Sequence, residues 1–105
     1  MDTITIDVGV YTALEIDLTE FDFTGISKVV MTFKNVPSLD TPAVFTREFV
    51  EPKVHRVVIT PEESLKLIQD AAYDFAKVLI DGKTYKNGDN GKIELRKGCG
   101  QCQNL

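Results

Sequence analysis

Apolar and polar residues alternate with a period of two along most of the chain, the pattern of strands that bury one face and solvate the other. In TITIDV (3–8), Ile4, Ile6 and Val8 share a face against Thr3, Thr5 and Asp7; in ALEIDL (13–18), Leu14, Ile16 and Leu18 oppose Glu15 and Asp17. SKVVMTFKN (27–35) is rich in β-branched and aromatic residues and predicts a central strand, with Val29, Met31 and Phe33 on one face and Val30, Thr32 and Lys34 on the other. Pro37 ends it, since proline has no N–H to give a sheet. Between Pro42 and Pro52, AVFTREFV places Phe45, Arg47 and Phe49 together. An arginine on an apolar face predicts an edge strand, where a long side chain reaches water. VHRVVIT (54–60) is a further strand, with Arg56 on its solvated side.

TPEESLKLI breaks the period. Thr60 is placed to accept from the N–H of Glu63, Pro61 suits the first helical position, and Thr-x-x-Glu completes a capping box. The segment predicts a short helix over about 61–68 that lays Leu65 and Ile68 across one end of the sheets. AAYDFAKVLIDG then returns to strand, with Asp81-Gly82 as a turn suited to positive φ. Asn87 to Gly91 form a looser turn before KIELR, where Ile93 and Leu95 face inward. The last strands are expected to make a hairpin meander.

Seven or eight short strands with one capped helical turn predict an all-β fold, an antiparallel immunoglobulin-like β-sandwich. With no Trp and no two widely separated cysteines, it lacks the pin of an antibody-type domain. A length of 105 residues allows one core, assigned to 1–97, followed by a short tail, 98–105, that carries both cysteines. All six phenylalanines are candidates for the inter-sheet core. Phe21 and Phe23 are singled out because they flank Asp22 in a turn-like segment, where exposed rings would anchor a partner.

Two stretches, IDLTEFDFTGISKVVMTFKN and VVITPEESLKLIQDAAYDFAKVLIDGKTYKNGDNGKIEL, resemble the phage baseplate upper protein N-terminal domain. The shared features are a Thr-Pro-Glu-Glu-Ser helical turn (Thr60 to Ser64), a Tyr73-Asp74 strand, the Asp81-Gly82 hairpin and a final strand at Ile93. The resemblance spans about residues 3 to 97. Where the family often has a glycine after the helix, this chain has Ala71-Ala72. The resemblance implies a β-sandwich that serves as a structural and attachment module of a phage or prophage tail, with other tail or baseplate proteins, or a second copy of itself, as partners.

Charge narrows the partners further. Twelve Lys and Arg scattered among sixteen Asp and Glu leave a net charge of -4, without the basic stripe that nucleic-acid binding needs. No apolar run is long enough to span a membrane, and the first residues, MDTITIDVGV, do not read as a signal peptide. The expectation is synthesis in the cytoplasm, with the virion as a destination if the resemblance holds.

The terminal KGCGQC offers the one motif with chemical potential. Cys99 and Cys102, flanked by Gly98 and Gly100, have the spacing with which two thiolates bind one zinc ion. That is half a tetrahedral site, which a second chain in a symmetric dimer would complete. An idle tail, a redox pair and an intermolecular disulfide are the alternatives. A redox role needs a depressed thiol pKa, usually at a helix N-terminus, and the residues before the cysteines read as strand. His55 alternates with apolar residues in its strand, and no nucleophile is marked beside it. NGDNG with Asp81 lacks the bidentate glutamate of an EF-hand loop. The pairs Asp17/Glu20 and Glu62/Glu63 fall on solvated faces or in a helix cap, not in the unequal environments that acid–base couples need. The chain is therefore expected not to be an enzyme but an interaction module, with a small zinc module as the rival reading.

Overall fold

The computed structural model describes residues 3–35, 42–68, 70–86 and 91–97. Among these residues eight strands and one short helix follow in the order β1 (Ile4–Val8), β2 (Thr12–Asp17), β3 (Ile26–Lys34), β4 (Phe45–Phe49), β5 (Val54–Ile59), α1 (Pro61–Leu65), β6 (Ala72–Leu79), β7 (Thr84–Lys86) and β8 (Gly91–Lys97). The larger sheet has the order β1-β8-β6-β3-β4, with β7 also on β6, and β2 and β5 pair as a second sheet. The fold is all-β and sandwich-like, as the alternation predicts.

Period-two alternation sets which face of each strand is buried. On the larger sheet, Val29, Met31 and Phe33 are fully buried, as expected. Phe33 stands opposite Tyr73 and Met31 opposite Phe75, so β6 adds its aromatics to the same face. Ile6, Phe49, Tyr73 and Ile93 join Met31 and Phe33 in one cluster with Ile16, Val57 and Ile59 of the smaller sheet. Residues from both sheets in one core are what make this a sandwich, and each such apolar side chain removed from water contributes about 1.5–3 kcal/mol. Phe45 stacks on Phe33 at 4.4 Å between ring centroids.

The strand directions depart from an all-antiparallel arrangement at one place. β1 and β8 run parallel, with Ile4 opposite Ile93 and Ile6 opposite Leu95. Alternation specifies the buried face of a strand but carries no information on the direction of its neighbour. The closing strands also differ from a simple meander. β3 occupies one edge of β6 along its length. The other edge is therefore shared, β7 taking Ala76 to Val78 and β8 taking Ala72 and Tyr73. The expected turn at Asp81-Gly82 is present: Gly82 takes φ +91°, its N–H donates to Leu79, and the Asp81 carboxylate accepts from Lys83. Of the turn expected over Asn87 to Gly91, residues 87–90 lie outside the described residues and Gly91 begins β8.

α1 is shorter than expected and presents another face. The capping box forms as predicted, with Thr60 accepting from the Glu63 N–H and Glu63 accepting from the Thr60 N–H. The helix ends at Leu65, and both Leu65 and Ile68 are exposed, at 64% and 59%. Ser64 and Leu67 point inward instead. The reason is a polar anchor: Ser64 Oγ accepts from the Gly9 N–H at 2.9 Å and donates to the Pro61 carbonyl at 2.7 Å. This fixes the rotation of the single turn against the β1–β2 connection. Asn35 then fixes the exit, donating to the Lys66 carbonyl and accepting from the Ile68 N–H.

Candidate functional site

The β2–β3 connection carries the aromatic pair marked in the sequence, and short polar side chains set its shape. Asp17 accepts from both the backbone and the hydroxyl of Thr19, which holds its carboxyl below the ordinary range. The Phe21 N–H donates to the Leu18 carbonyl, the Thr24 N–H donates to Asp22 Oδ1, and the Ile26 N–H closes onto the Phe23 carbonyl. Hydrogen bonds from Thr24 likewise hold the Asp22 carboxyl down, with a smaller effect of Lys77. These local bonds compete with strand pairing and so produce a turn.

The turn holds Phe21 and Phe23 edge to face, with ring centroids 5.0 Å apart. Lys77 Nζ from β6 lies 5.2 Å from the Phe21 centroid, within cation–π range. Both rings are half-buried and lean on the core. They are thus neither free surface anchors nor wholly core: one side of each packs inward and the rest faces outward, beside the carboxylate of Asp22. Such an arrangement suits recognition of a largely apolar surface with a polar rim.

The other titratable candidates serve the fold. His55 is half-buried, packs against the Phe49 ring at 4.7 Å between centroids, and shares a hydrogen bond with the Glu51 carbonyl through Nε2. Arg56 is exposed, as expected. Glu62 and Glu20 are exposed, whereas Glu63 accepts from Arg47 at 2.6 Å. The Arg47 guanidinium, foremost, and the Thr60 N–H hold the Glu63 carboxyl below the ordinary range, against a desolvation that pushes it up. Cys99 and Cys102 lie outside the described residues, as do residues 87–90. Among the described residues no group of three or more His, Cys, Asp or Glu is placed to hold a metal ion.

Two polar constellations carry no local motif. Arg47 does lie on an edge strand, but its guanidinium is not given over to water. It also donates to the carbonyls of Thr46 and of Val58 on β5, and thereby bridges the edges of the two sheets. Lys34 and Asp74 form an ion pair of 2.6 Å whose side chains are only 1% and 4% exposed. They lie on the face of the larger sheet that alternation assigns to the outside. The one sequence signal for that pair is a lysine closing an apolar strand and an aspartate inside another.

Among the described residues no helix is long and apolar enough to cross a membrane. Compared with known proteins, the chain matches no family model, no curated protein and no solved structure.

Proposed function

We propose that this chain is a non-enzymatic interaction module of a phage or prophage tail or baseplate assembly. The observation that carries the reading is the Phe21–Phe23 pair, two half-buried rings presented by a turn that three local hydrogen bonds fix in advance. A preformed aromatic anchor loses little freedom on binding, which is how few residues come to dominate an interface. The resemblance of the Thr60 to Ser64, Tyr73-Asp74 and Asp81-Gly82 segments to the baseplate domain supplies the kind of partner. The use of His55 and Glu63 in the fold supports the non-enzymatic part, because each already has a structural partner.

The test is co-purification with the proteins encoded by the neighbouring genes, tail or baseplate proteins being expected among them. The wild type is expected to elute with one of them, and Phe23→Ser to elute alone while still melting cooperatively. A wild type that binds none of them overturns the reading.

The glycine-flanked spacing of Cys99 and Cys102 favours a second reading, zinc shared between two chains. Elemental analysis would find one zinc per two chains, lost in Cys99→Ser together with the dimer; a zinc-free protein of unchanged oligomeric state removes it.

A further inference from the structure

We propose that Lys34 and Asp74 are the reactants of an intramolecular amide (isopeptide) bond that joins β3 to β6. Their side chains are almost wholly shielded from water, and Nζ and Oδ2 are 2.6 Å apart. The contact is preorganised by the backbone. β3 and β6 pair antiparallel, Lys34 opposite Ala72 and Thr32 opposite Asp74, so the two reactants are diagonal neighbours on one face. Ala72 and Ala76, both buried, flank Asp74 on that face with side chains too small to separate it from the amine. Holding two reactants in contact in this way replaces an encounter in solution by a unimolecular step.

A surface ion pair would not invite this step, because water stabilises both charges. Here the charges gain little from solvent, and a buried ion pair is costly to keep as ions. Transfer of one proton from Nζ to Oδ2 along the hydrogen bond gives a neutral amine beside a neutral carboxylic acid. A turn of the carboxyl about χ2, a soft torsion, then presents Cγ to the nitrogen lone pair. The N–C bond forms, one nitrogen proton moves to the departing oxygen, the C–O bond breaks and water leaves. The pair supplies every atom and proton of the change, and nothing is oxidised or reduced. The product is a covalent tie across 40 residues of sequence between adjacent strands, which resists both heat and pulling apart of the sheet.

The intact mass of the full-length, denatured protein tests this directly. The wild type is expected to be lighter than its sequence by one water, with a proteolytic map containing a branched peptide in which Lys34 and Asp74 are joined. Asp74→Ala is expected at the mass of its own sequence. A wild type at full sequence mass overturns the proposal, as does a lost water that the map places elsewhere, for instance at Asp81-Gly82. The measurement on the wild type stands whether or not the variant folds.

Discussion

Arg47 bridges the edges of the two sheets through the Val58 carbonyl, and Glu63 holds Arg47. Glu63→Gln keeps an oxygen for the Thr60 N–H but removes the charge opposite the guanidinium, and is expected to cost about 1 kcal/mol in denaturant unfolding. The effect has a sign in pH. Because Arg47 holds the folded carboxyl below its ordinary value of 4.5, the contribution is complete above that value and fades as pH falls through the lower folded one. The acid limb of a stability-versus-pH curve is therefore expected to flatten in Glu63→Gln; an unchanged limb would mean that Arg47 does not stabilise the ionised form. Asp74→Ala is a heavier change. It removes the carboxylate of a buried ion pair, and a loss of about 3–5 kcal/mol is expected from chemical unfolding. Asp70, the described non-glycine residue with positive φ (+73°), lies in the connection between α1 and β6. Asp70→Gly is expected to be close to neutral in thermal melts, whereas Asp70→Val is expected to lose about 1–2 kcal/mol by forcing a β-branched residue into that region.

At the scale of the elements, β8 is aligned on β6 by a glycine. Gly91 faces Tyr73 across the pair, and a Cβ at that position would run into the Tyr73 ring. Gly91→Ala is accordingly expected to destabilise by about 1–3 kcal/mol, read from the urea midpoint, because the buried ring must shift. What was legible in the sequence follows from how local each signal is. The strands from Ile4 to Val8, Thr12 to Asp17 and Ile26 to Lys34 announced themselves by alternation, and the Thr60–Glu63 capping box by its spacing. The helix face did not, since Ser64 chose it through a bond to Gly9, 55 residues away, where a pattern of Leu65 and Ile68 suggested otherwise. The parallel β1–β8 pairing and the Lys34–Asp74 contact were also hidden, because register and strand direction are set by partners distant in the chain. Of the candidate site, the turn residues around Phe21 and Phe23 could be read, but the cation of Lys77 over Phe21 needed β6 in place.

At the scale of the molecule, the larger sheet and the two-stranded sheet enclose one core. What remains turned outward at the β2–β3 turn is an aromatic pair with a lysine above it and an aspartate between. The most direct measurement of the interaction-module reading is co-elution in size-exclusion chromatography of this protein with the proteins encoded by its neighbouring genes, wild type against Phe23→Ser. A shared peak is expected for the wild type that splits for the variant, with both proteins folded. Separate peaks for the wild type with every such partner would contradict it.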